Sequence, residues 1–119
     1  MTTQTSQPRV QSFDTPDEAV PLAAVARADV IRLGDVTANR VTFQPGFHWA
    51  EHVGPSAGTD LCQIRHTGYV VSGRARLRTE DGTERELGPG DAFDIPAGHD
   101  LWVSGDEPYV AVDFGPAER

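Results

Sequence analysis

"GDAFDIPAGHDLW", residues 90–102, decides how this chain folds. Four residues, AFDI at 92–95, alternate in character as a half-buried strand does. Pro96 then removes a backbone donor, so the ladder ends there. Gly98 permits a tight reversal, and DLWV at 100–103 begins a second strand. A strand, a Pro-Ala-Gly turn and another strand within thirteen residues is the punctuation of an all-β protein.

The same rhythm holds on both sides. ADVIRL (28–33) and RVTF (40–43) are rich in β-branched residues, with turn signals at Gly34-Asp35, Pro45-Gly46 and Pro55 to Gly58. YVAVDF (109–114) is a further strand. No stretch after Ala28 keeps a helical period for three turns. GYVVSGRARLRT (68–79) runs through EDGTE (80–84) into RELGPGD (85–91), which reads as a hairpin. A loop one residue longer than a strict Asp81-Gly82 turn pairs Leu77 with Leu87 and Arg78 with Glu86. This register sets like against like on one face and opposite charges on the other, with Gly82 in the left-handed region. TPDE (15–18) has the residues of a helix start, with Thr15 as cap, Pro16 at the first position and Glu18 completing a capping box. Pro21 limits such a helix to a turn, and the alternative is a segment that simply crosses the surface.

The 119 residues suit one compact domain, expected over 13–119, behind a flexible arm at 1–12 that is poor in large apolar residues. The formal net charge of −8 disfavours both a phosphate backbone and an anionic membrane surface, so neither nucleic acid nor membrane is expected as a partner. The N-terminal TTQTSQPRVQS has no apolar signal core, and AVPLAAVARADV (19–30) is too short and too interrupted to span a bilayer, so a cytoplasmic address is expected. Cys62 is the sole cysteine, which excludes an internal disulfide.

Residues 68–103 resemble the cupin superfamily. YVVSGRARL looks like the end of its first motif, with Gly73 as the motif glycine. GPGDAFDIPAG looks like the second, G-x5-P-x-G-x2-H-x3-N, with Gly90, Pro96 and Gly98 in register. A looser likeness to small single-domain bacterial cupins runs from Ala28 to Phe114. The resemblance implies a small double-stranded β-helix, a jelly-roll barrel of two sheets, dimeric, with a pocket in its mouth. It also implies a metal site of two histidines, a glutamate and a histidine from the second motif. Here those positions hold Asp60, Cys62, His66 and Leu101, and Gly105 replaces the second-motif asparagine. The standard site does not transfer.

Donors nevertheless surround those positions. In an extended strand Asp60 and Cys62 share a face, and His99 has the parity of Leu101. His52 lies just upstream. His52, Asp60, Cys62, His66 and His99 are therefore the possible donors, with Cys62, His66 and His99 the foremost ligands and His52 the fourth, and mixed histidine and cysteine ligation favours zinc or iron(II) over magnesium or calcium. Asp60, Trp49, Tyr69, Leu101 and Trp102 are candidate walls of a pocket for a small organic ligand. His48 is expected at the rim, with Phe47 or Trp49 covering the barrel. Plainer roles compete: a buried cysteine packs, a histidine bonds nearby backbone, and the aromatics are core. Cys62 and His66 also suit a thiol–imidazole pair, although no oxyanion donor is identifiable in the sequence. Three functions compete: a divergent metal-binding cupin, a metal-free small-ligand-binding module, and a regulatory partner with a vestigial pocket.

Overall fold

Nine strands and two single-turn helices make up the structure, a computed structural model that describes residues 7–117. The first six residues of the expected arm lie outside the described residues. All strand pairs are antiparallel. β1 (Glu18–Ala23), β2 (Ala26–Leu33), β3 (Val36–Phe43), β4 (His66–Ser72), β7 (Ala92–Ile95) and β9 (Tyr109–Pro116) form one sheet in the order β1-β2-β3-β9-β4-β7. β5 (Ala75–Thr79), β6 (Glu84–Leu87) and β8 (His99–Val103) form the second, in the order β6-β5-β8.

Strict alternation places the core. On β9 Tyr109, Ala111 and Asp113 are buried while Val110 and Val112 are partly exposed. Val70, Ala75, Leu77, Ile95, Leu101 and Val103 join Tyr109 and Ala111 in one apolar cluster. This is the all-β architecture that the turn pattern implied, in the two-sheet form that the cupin resemblance implied.

Three local expectations need correction. TPDE does not start a helix, since Glu18 opens β1 and pairs with Val30. Pairing with the long β2 satisfies the backbone groups that a single helical turn would leave open. The 68–91 hairpin is shifted by two residues: Leu77 faces Arg85, Leu87 faces Ala75, and the charge pairs are Arg76 with Glu86 and Arg78 with Glu84. The turn chemistry decides. Thr79 N–H donates to Thr83 O, and the Asp81 carboxylate accepts from Thr83 N–H at 3.1 Å and from the Thr79 hydroxyl at 2.6 Å. A shift of two keeps every side chain on its face, so the opposite-charge pairing survives, and Gly82 has the expected positive φ of 88°. Finally, the region of Pro45-Gly46 and Pro55 to Gly58 carries α1 (Trp49–His52) and α2 (Gly54–Ala57) rather than turns alone.

Candidate metal centre

Cys62, His66 and His99 come together from three separate segments. His66 opens β4 and His99 opens β8. Cys62 follows α2 and zips onto the start of β8: its N–H donates to His99 O at 2.7 Å, and its carbonyl accepts from Gly98 N–H at 2.7 Å. Gly98 makes that approach with φ +88°, a region side-chain-bearing residues rarely adopt. One potential ligand atom from each of the three residues lies within 4.8 Å of the others.

Each histidine is held by the nitrogen that faces away. His99 Nδ1 donates to Pro96 O at 2.8 Å, leaving Nε2 for the cluster. His66 Nδ1 donates to Asp113 Oδ2 at 2.8 Å, and its Nε2 lies 3.6 Å from Cys62 Sγ. Asp113 is in turn held by Asn39 Nδ2, 3.1 Å from its other oxygen. Acceptors that orient the outer nitrogens are the usual second layer of a histidine metal site. A tetrahedral zinc holds sulfur and nitrogen ligands about 3.5 Å apart, and the Cys62–His66 separation fits that value.

Burial and polarity act against each other here. Burial pushes the Cys62 thiol up, but hydrogen bonds from His66 and His99 outweigh it and bring the pKa down to about 6. Burial likewise pushes His66 down, but the Asp113 carboxylate and the Cys62 sulfur outweigh it and raise it to about 9. Cys62 and His66 thus form a thiolate–imidazolium pair near neutral pH.

The cluster opens into a cavity of about 300 Å³ between the sheets. Trp49 and Leu101 line it with Phe43, Phe93 and Tyr109. Three other expected wall residues do not. Asp60 is not in an extended strand, so the parity with Cys62 fails. It is exposed and lines a separate cleft of about 410 Å³ with His48, Arg78 and Asp100. Tyr69 stands on the outward face of β4, half exposed, because only the alternate positions His66, Gly68 and Val70 turn inward. Trp102 takes the outer face of β8 and packs on His48, ring centroids 5.3 Å apart. His48 itself binds Asp100, Nε2 to Oδ2 at 2.6 Å.

His52 is not in the cluster. Its Nδ1 accepts from His48 N–H at 3.0 Å, and its ring stacks on Phe47 at 5.7 Å. Phe47 is core, the plainer of the two roles open to it from the sequence. Asp113 is the residue that sequence reasoning missed. Its signal was a lone carboxylate on the inward, apolar face of YVAVDF, in step with Tyr109 and Ala111.

Residues 62–115 match the family model described as "Cupin domain". No curated protein matches the sequence. Among solved structures, KdgF from Halomonas sp. is 24% identical, over 86% of this chain and 89% of that one, at a TM-score of 0.62. The polyketide cyclase RemF from Streptomyces resistomycificus is 21% identical, over 95% and 81%, at 0.67. An RmlC-like cupin from Shewanella frigidimarina is 15% identical, over 95% and 94%, at 0.66. At these identities the likeness is one of fold.

Proposed function

We propose that this chain, a cupin by its fold, is a divergent metal-binding cupin. It holds one zinc or iron(II) ion on Cys62 Sγ, His66 Nε2 and His99 Nε2, beside a cavity for a small organic molecule. The observation that carries this reading is the convergence of three ligand atoms within 4.8 Å, with both histidines oriented from behind. Such an ion, when bound, supplies Lewis-acid polarisation of an oxygen-bearing group. The chain's own residues do the rest. Asp113 keeps the proton on His66 Nδ1, Pro96 O does the same for His99, and the apolar walls keep bulk water away from the donors. Relatives in fold include a polyketide cyclase, and fold alone does not determine substrate.

The test is elemental analysis of untagged protein purified without chelator and without a nickel column. About one zinc or iron per chain is expected. Cys62→Ser should lose the metal and lower the melting temperature together, because bound metal stabilises the folded state. No uptake even after incubation with zinc and iron(II) sinks the reading, and leaves a metal-free ligand-binding or regulatory cupin.

A second reading is favoured by the linear arrangement Cys62–His66–Asp113. As a thiolate activated by imidazole, Cys62 should alkylate quickly at neutral pH in the metal-free protein, and His66→Ala should slow it. Slow alkylation of the metal-free wild type counts against it.

Self-association is part of the same proposal. Tyr69 and Val71 on β4 and Phe114 on β9 are each half exposed on the outer side of the large sheet, which supports a homodimer. Sedimentation equilibrium of the wild type and of Tyr69→Arg should separate dimer from monomer.

A further inference from the structure

Between β3 and β4 the chain leaves both sheets and crosses one side of the cavity. Residues 51–61 carry the end of α1 and all of α2. Val53 and Ala57 line the cavity from this segment. Ala57 is also exposed to solvent, so the wall there is one residue thick. Of the segment only Gly54 is buried. Among the described residues, every hydrogen bond and ion pair of residues 51–61 ends on a residue between His48 and Gln63. The segment bonds to itself and to neither sheet.

Its two ends are tied down instead, both to the start of β8. Asp100 is 3% exposed, and its carboxylate accepts from Ala50 N–H at 3.0 Å, from Leu101 N–H at 2.9 Å and from His48 Nε2 at 2.6 Å. His48, the N-cap of α1, makes no side-chain cap of its own, so Asp100 caps the helix from another strand. At the other end Cys62 N–H donates to His99 O, and Cys62 O accepts from Gly98 N–H. His99 and Asp100 are neighbours, so the ends lie side by side and the segment is a compact Ω-loop, a form that frequently carries function. A single helical turn does not hold by itself. A segment with few buried contacts opens locally while the rest of a protein stays folded.

We infer that residues 51–61 are a lid on the cavity. They open while the barrel stays folded and admit the small molecule, and Asp100 is the positioning residue that latches them to β8. The inference rests on the cavity and the two anchors, and not on a bound metal.

Cys62 is the sole cysteine and lines the cavity at the fixed end of the lid, so a covalent label on it reports opening. The probe is a fluorescein maleimide, too bulky for a cavity of about 300 Å³, added to chelator-treated protein at neutral pH. Wild type should label about a hundredfold more slowly than the urea-unfolded chain. Its rate should change little with urea below the unfolding transition, because an opening lid exposes little surface. Gly58 closes α2 at φ +76°, with open space where a Cβ would stand, so Gly58→Ala strains the lid and touches nothing in the barrel. It should speed labelling about tenfold. Asp100→Ala should do the same, and Asp100→Asn, which keeps an acceptor for Ala50 N–H, should stay within about threefold of wild type. Equal rates in these two variants overturn the role of Asp100; if Asp100→Ala does not fold, Gly58→Ala and the urea dependence decide. A wild-type rate that climbs with urea in step with global unfolding overturns the lid. So does a rate equal to that of the unfolded chain, or a Gly58→Ala rate within about twofold of wild type. A protein that labels as expected but takes up no zinc or iron upholds the lid and sinks the metal reading. One that takes up metal, but whose chelator-treated form labels only on global unfolding, does the reverse.

Discussion

At the scale of single residues, Asp113 does more than its sequence position suggests. It buries a carboxylate to hold His66 by Nδ1, and Asn39 supports it from β3. Asp113→Asn keeps the shape and removes the charge that favours the Nδ1–H form. It should weaken zinc binding by about 10–100-fold, the usual cost of losing such an orienting partner, measured by competition with a chromophoric chelator. The paired titration of Cys62 and His66 sets a second expectation. Between about pH 6 and about 9 the thiol has already lost its proton and the imidazole still holds one. Zinc must displace that proton, so binding in this window should release about one proton per ion, and affinity should rise about tenfold per pH unit. Below about pH 6 both groups are protonated, and the slope should steepen towards two. Calorimetry in buffers of different ionisation enthalpy reads the proton count directly.

At the scale of elements, the centre depends on how closely β4 and β9 approach. Gly68 faces Asp113 across the ladder. A Cβ at Gly68 would stand 2.0 Å from Val112 O and 2.7 Å from Asp113 Cα, so only glycine lets the carboxylate lie beside His66, two residues along β4. Gly68→Ala should therefore destabilise the fold by about 1–3 kcal/mol in urea unfolding and weaken zinc binding as well. A loss of stability with zinc affinity untouched would show that the close approach serves the sheet alone. The hairpin of β5 and β6 carries the converse lesson. Its register is set by Thr79, Asp81 and Thr83 in the turn, while the opposite-charge pairing is satisfied by either of two registers two residues apart, and the observed one sets Leu77 against Arg85.

At the scale of the whole molecule, a buried charge ties the N-terminal segment to the large sheet. Asp29 on β2 is fully buried and bonds Arg27 at 2.5 Å and Arg40 of β3 at 3.0 Å. Arg40 also reaches Phe13 O at 3.2 Å and lies over the Phe13 ring. Burial raises the Asp29 carboxyl, but the hydrogen bonds from Arg27 and Arg40 outweigh it and hold it below 3.8. A carboxyl held low in the folded state stabilises the protein above its unfolded pKa, and that contribution is lost as pH falls through the lower, folded value. Asp29→Asn should cost about 1–3 kcal/mol at pH 7, since both arginines are partly exposed and screened. The difference from wild type should shrink below pH 3.8, read by urea unfolding across the acid range. A difference that is constant with pH would mean that the asparagine disturbs packing rather than charge.

The fold was legible in the sequence because β structure is written locally. Alternation over four to eight residues and turns at Pro96, Gly98 and Gly82 report backbone geometry that neighbouring residues impose on one another, so the strands and the all-β class followed from the text itself, and the two-sheet cupin form from the motif resemblance. The donor types at 62, 66 and 99 were legible for the same reason, as residues standing in or beside the motif positions. The tertiary structure alone decided which of them meet. His52 closes α1 with its ring bonded back to His48 N–H, Asp60 lies in another cleft, and Tyr69 and Trp102 stand on outward faces. Asp113, 47 residues from His66, arrived beside it only because β9 pairs with β4. Strand pairing is a contact between distant parts of the chain, and its register fixes which side chains share a space. That information is carried by packing and by the one glycine that allows it, not by any local pattern.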